Sequence, residues 1–136
     1  LSPAVLCRAA VRAFAEQRDG GIIVNLASRA AFRGEDPDYW HYAAAKAGIV
    51  AMTRTIARHY GRDGVTAYAI APGYVDTPFN QAFADTVGVD IAAADTGLGE
   101  VAQPQDIANV VAFLASGLAR HATGATIDVN GASYVH

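Results

Sequence analysis

Apolar side chains recur at Val5, Leu6, Ala9, Ala10, Ala13 and Phe14, the spacing of a helix that buries one face. Ser2 fits its N-cap and Pro3 its first helical position, so the pattern predicts a helix over residues 2–17. Asp19-Gly20-Gly21 stops it. The following run, GIIVNLAS, carries β-branched Ile22, Ile23 and Val24 and reads as a buried strand. A buried strand directly after a helix fits a parallel sheet. Ser28 to Asp38, with Gly34, Pro37 and several charges, is expected to be loop. From Tyr39 to Tyr60 only Gly48 disfavours a helix, and Ala43, Ala44, Ala47, Gly48 and Ala51 leave one side small enough for a close neighbour. VTAYAIA, from Val65, predicts a second buried strand, and APGYVDTPF turns sharply. Residues 79–100 form a long stretch with weak helical pattern, the kind of segment that serves as a lid. Pro104 opens a helix to Ala115 with Asp106 in its first turn. ATIDVNG is a short closing strand. The order α-β-α-β-lid-α-β predicts an α/β layered sheet.

Composition narrows the function classes. The chain has 136 residues, 52% hydrophobic and 17% charged, enough for one core. Its formal net charge is −3 and its arginines are scattered, so no stripe exists to follow a nucleic-acid backbone. No apolar run is long enough to span a bilayer, and no charged-then-apolar leader is visible. Cys7 stands alone, which excludes an internal disulfide and suits a reducing cytoplasm. Cysteine, histidine and carboxylates never cluster at ligand spacing, so no metal site is expected.

Candidate chemistry starts at YAAAK. Lys46 is the one lysine among ten basic residues, and it lies four positions after Tyr42. On a helix those positions share a face one turn apart. A free phenol titrates near ~10, too high for proton exchange at neutral pH. An ammonium about 4 Å away, at an effective dielectric near ~20, is worth up to ~4 kcal/mol, roughly three pKa units. That brings a phenol into working range, and the alanines leave room for a ligand. The bland alternative is a surface tyrosine beside a solvated lysine.

The strand ends add two features. Open parallel sheets bind ligands beyond the carboxyl ends of their strands. The first strand ends Asn25-Leu26-Ala27-Ser28, which places a hydroxyl at its tip. The second ends Ala71-Pro72-Gly73, with Thr77 beyond. Pro72 fixes one dihedral and Gly73 allows a turn in which backbone can lie flat against a ligand. Alone, Ser28 reads as a turn or cap residue and Pro72-Gly73 as an ordinary turn.

Together, IVNLAS, YAAAK and PGYVDT resemble the ordered motifs of the short-chain dehydrogenase/reductase family, in single-domain members similar to 3-oxoacyl-carrier-protein reductases. The likeness runs from Leu1 to His136 and includes QPQDIANVVAFLASGLARHATGATIDVNG. It implies a Rossmann-like, doubly wound parallel sheet of which this chain is the C-terminal half. It also implies an NAD- or NADP-dependent transfer of hydride between nicotinamide and a carbonyl or secondary alcohol. By the same resemblance, Tyr42 would be the general acid/base. Lys46 would ease its deprotonation and hold the nicotinamide-ribose hydroxyls. Ser28 would donate to the substrate oxygen. Pro72, Gly73, Val75 and Thr77 would line the nicotinamide, and Tyr74 would belong with the lid to the substrate pocket. The helices at 2–17 and 39–60 resemble those that pair family members into homodimers or homotetramers.

The family's glycine-rich phosphate turn and its NAD/NADP selector precede this region, and a relay asparagine would fall just before Leu1. The expectation is therefore a C-terminal part of a longer enzyme. Tyr68 departs from the asparagine common before Pro-Gly, which puts a local hydrogen bond in doubt. Gly97-Leu98-Gly99-Glu100-Val101-Ala102 fits a dinucleotide fingerprint, but no buried strand precedes it and Glu100 would repel pyrophosphate. Two other readings remain. One is a truncated, non-catalytic protein that only dimerises. The other is a serine hydrolase using Ser28 with His41 or His59, for which no glycine-flanked nucleophile turn exists. Arg29 and Arg33 are expected either to meet an acidic substrate group or to pair with Glu35, Asp36 and Asp38.

Overall fold

The structure is a computed structural model that describes residues 2–80 and 88–135. Helix α1 spans Ser2–Gln17 and leads into strand β1, Gly21–Leu26. Arg18, in a left-handed conformation (φ 61°), makes the turn between them with Gly20 (φ 70°). Helix α3, Trp40–Tyr60, returns the chain to strand β2, Val65–Pro72. A short helix α4, Val89–Ala94, precedes helix α5, Pro104–Ala115, and strand β3, Thr126–Val129, closes the fold.

The strands form one parallel sheet in the order β1-β2-β3. Alternation along β2 explains why both faces are covered. Val65, Ala67 and Ala69 point to the layer of α1 and α3, where Cys7, Val11, Ile23, Val50, Ile56 and Ala57 are buried. Tyr68 and Ile70 point the other way, against Leu114 of α5. β2 is buried from Val65 to Ala71, as a central strand between two helical layers must be. Tyr68, in place of the expected asparagine, is fully buried, and its hydroxyl donates to the Ala119 carbonyl at 2.9 Å. A polar residue on the other face, Asn25, is satisfied by Thr53 Oγ1 at 2.9 Å.

One expectation needs correction. Residues 28–38 are not plain loop. The Ser28 Oγ accepts the Ala30 N–H at 3.1 Å and starts one helical turn, α2 (Ala30–Arg33), which Gly34 ends at φ 80°. A 3-10 turn, Pro37–Tyr39, then feeds α3. The 79–100 stretch contains α4, and its 81–87 part lies outside the described residues.

Candidate active site

In a β-α-β crossover the connecting helix starts near the carboxyl end of the first strand. In α3, Val50, Thr53, Ile56 and Ala57 are buried against the sheet. Tyr42 and Lys46 continue that stripe at helical spacing toward the N-terminus, where α3 reaches the strand tips. Both side chains are half-buried. The Lys46 Nζ sits 5.6 Å from the Tyr42 ring centroid, within cation–π range. It also donates to the Leu26 carbonyl at 3.0 Å, the last residue of β1. Burial lowers the pKa of this amine below 10.5. The Tyr42 hydroxyl makes no hydrogen bond among the described residues.

Ser28 follows two residues after that carbonyl and is buried. Its oxygen accepts from Ala30, so its own proton remains uncommitted among the described residues. The backbone fixes its place. Ala27 N–H donates to Ile70 O at 2.8 Å and Arg29 N–H to Pro72 O at 3.0 Å, so the β1 and β2 tips stay joined past the regular strand.

Pro72 ends β2, and Gly73 N–H donates to Val129 O at 3.0 Å. Gly73 is required here by proximity, which corrects the turn argument. A Cβ at this position would lie 2.9 Å from both Asn130 Cα and Cβ. Tyr74 O and Asp76 N–H bond the two sides of Ala102 at 3.3 and 2.9 Å, pinning the segment after β2 to the start of α5. Between them Val75 is buried; its carbonyl accepts Asn80 Nδ2 at 2.8 Å and the Thr77 hydroxyl at 3.4 Å. The Val75 N–H has no partner among the described residues.

A cavity of about 500 Å³ lies beside the tips of β2 and β3, with Tyr74, Thr96, Leu98, Asn130 and Tyr134 in its walls. It takes in Tyr74 but not Ser28, Tyr42 or Lys46, so the hydroxyl–amine group and the cavity are separate features. Arg29 and Arg33 pair with neither Glu35, Asp36 nor Asp38 among the described residues. Both reach Asp95 Oδ2, at 2.8 and 2.9 Å. Sequence reading missed Asp95, Asn130 and the Leu26 carbonyl. Only Asn130-Gly131 carried a signal, as turn residues after a strand. Gly97-Leu98-Gly99 lies in a turn closed by Gly99 N–H on Thr96 O at 3.3 Å and tied to Gly131 O by Gly97 N–H at 2.6 Å, with no strand just before it. Among the described residues no helix is long and apolar enough to cross a membrane, and no group of three potential metal ligands occurs.

A family model described as Enoyl-(Acyl carrier protein) reductase matches residues 1–132. A (3R)-3-hydroxyacyl-CoA dehydrogenase of Rattus norvegicus is 34% identical over 131 residues, 96% of this chain and 50% of its own length. A 3-oxoacyl-(acyl-carrier-protein) reductase of Escherichia coli is 37% identical over 130 residues, covering 96% of this chain and 52% of that one. The structure of a 4-hydroxyisoleucine dehydrogenase complexed with NADH superposes with a TM-score of 0.88 at 27% identity, over 95% of this chain and 53% of that one. The chain spans about half the length of the relatives it matches. Its sheet is the parallel α/β sheet of their Rossmann-type fold. The motif order, the fold and these matches together establish that the chain belongs to the short-chain dehydrogenase/reductase family.

Proposed function

We propose that this chain is the catalytic part of an NAD- or NADP-dependent oxidoreductase acting on a carbonyl or secondary alcohol. The observation that carries the reading is the Tyr42–Lys46 pair, anchored to the Leu26 carbonyl at the strand tips beside Ser28. When bound, the nicotinamide supplies or accepts the hydride. The chain's residues handle the rest. Tyr42 gives a proton to the substrate oxygen, or removes it in the reverse direction. The Lys46 ammonium stabilises the phenolate left behind and would hold the ribose hydroxyls of a bound cofactor. Ser28 donates its free proton to the same substrate oxygen, where negative charge develops.

Two features fit a nicotinamide at the β2 tip. The Val75 N–H, without a partner among the described residues, is a donor suited to a carboxamide oxygen, and Pro72, Gly73 and Thr77 lie on the same segment. Tyr74 then faces the substrate side with the cavity. We also propose a cytoplasmic homodimer or homotetramer assembled through α1 and α3. α1 exposes Val5 and Leu6, and a groove of about 470 Å³ runs between the two helices.

The test follows absorbance at the reduced-nicotinamide band in the full-length protein. Tyr42→Phe is expected to lose roughly 10²–10⁴-fold in turnover, the worth of a positioned proton donor, while cofactor affinity is kept. Turnover that survives the change removes the mechanism. A dimer with no turnover in the wild type favours the non-catalytic reading.

A further inference from the structure

Arg29 immediately follows Ser28, and Arg33 stands one turn later on α2. The Arg29 Nη1 lies 2.8 Å and the Arg33 Nη1 2.9 Å from one oxygen of Asp95, which leaves the other oxygen out of the arrangement. Arg33 also reaches the Ser133 carbonyl at 3.4 Å. A guanidinium is a planar fork built to grip a carboxylate or phosphate through two parallel bonds. Neither fork is used that way. Among the described residues Arg29 makes a single side-chain hydrogen bond and Arg33 two, so most of their donors are unspent. Two cations against one anion leave one excess positive charge. It is concentrated where solvent relieves it least, since the Arg29 side chain is 13% exposed while Asp95 is 42% exposed.

We infer that Arg29 and Arg33 form a slot for an anionic group, carboxylate or phosphate, carried by the substrate, with Asp95 as its weak internal occupant. This deepens the oxidoreductase reading and rests on it for the identity of the ligand as substrate. The slot begins at the residue after the proposed oxygen-binding serine, so an anion seated there orients the rest of the molecule toward Ser28. Asp95 occupies the position between the two guanidinium groups when no ligand is present. An incoming anion that bonds both forks bidentately replaces one shared oxygen with two or more contacts.

The experiment measures binding of succinate and, separately, inorganic phosphate to the full-length protein by titration calorimetry. It uses wild type, Arg33→Ala, Arg33→Lys and Asp95→Asn, each checked for folding by circular dichroism. Asp95→Asn, which removes the internal competitor and raises the local excess charge, is expected to tighten binding about fivefold or more. Arg33→Ala is expected to weaken it at least about tenfold. Arg33→Lys keeps the charge without the fork and should fall between wild type and alanine, which keeps the test decisive if the alanine variant misfolds. Tighter binding of succinate assigns the slot to carboxylates, and of phosphate to phosphorylated compounds. An affinity unmoved by Asp95→Asn, an affinity unmoved by Arg33→Ala, or no binding of either anion to any variant overturns the slot. Nicotinamide turnover is read independently. Turnover without the anion effect sinks the slot alone, and the anion effect without turnover sinks the hydride reading.

Discussion

Replacing Gly73 by alanine should damage the β2 tip by a calculable amount. The new methyl would sit 2.9 Å from Asn130 Cα and Cβ and 3.2 Å from its carbonyl oxygen. Carbon atoms at ease lie about 3.5–4.0 Å apart, so the two segments must separate by roughly half an ångström or more. The neighbours are mostly backbone, and no rotamer change can relieve the contact. Forcing a methyl into such a place costs about 1–3 kcal/mol. The Gly73 N–H bond to Val129 O joins the same two segments and weakens as they part, for about another 1 kcal/mol. In a protein of roughly 150–250 residues each kcal/mol moves the melting midpoint by about 2–4 °C, so a cost of about 2–4 kcal/mol should make Gly73→Ala melt about 4–16 °C lower. The assay is thermal unfolding followed by circular dichroism on the full-length protein. Gly61→Ala is the control. Its φ of −62° suits any residue and nothing lies within 4 Å of the added methyl, so it should be neutral or raise stability by up to ~1 kcal/mol. If Gly73→Ala melts within about a degree of wild type, the close approach is not what selects glycine.

Three further outcomes follow from the same geometry. Burial lowers the Lys46 pKa below 10.5, so between that lowered value and 10.5 the unfolded state binds more protons than the native one and stability rises with pH. The penalty is present in full below the native pKa, so the stability of Lys46→Met relative to wild type should decline from about pH 7 to about pH 10; a constant difference in urea midpoints would falsify this. Tyr68→Phe leaves the Ala119 carbonyl without its donor and should lower stability by about 1–2 kcal/mol in urea unfolding, with no change in sheet content. Ala132 is held at φ 60°, so Ala132→Gly should raise the melting midpoint by relieving about 1 kcal/mol of strain; a drop would mean that the greater freedom of glycine in the unfolded chain outweighs that strain.

Local signals were readable wherever the determinant lay within a turn of the residue it controls. α5 runs from Pro104 to Ala115 as its sequence predicted, because Pro104 starts it and Asp106 caps the Gln103 N–H at 2.7 Å. The strands were readable from their β-branched runs, and the shared face of Tyr42 and Lys46 follows from helical spacing alone. What stayed hidden depends on distant partners. Arg29 and Asp95 are 66 positions apart, and nothing local to either marks the pairing. Gly73 looked like a turn residue because its actual constraint, Asn130, arrives only when β3 docks. α2 was missed since four residues carry too little periodicity, and its start depends on a serine oxygen turning back on its own chain.

Among the described residues strand β1 lies at the rim of the sheet, and its six residues, GIIVNL, include no charge and no proline. Along its outer side the backbone amides and carbonyls face away from β2, with Leu26 half-exposed at the end. Backbone groups in such a row pair with whatever strand lies alongside, and the side chains of β1 present no charge against it. A strand laid against Gly21–Leu26 would extend the sheet by one and satisfy those groups, whichever segment supplies it.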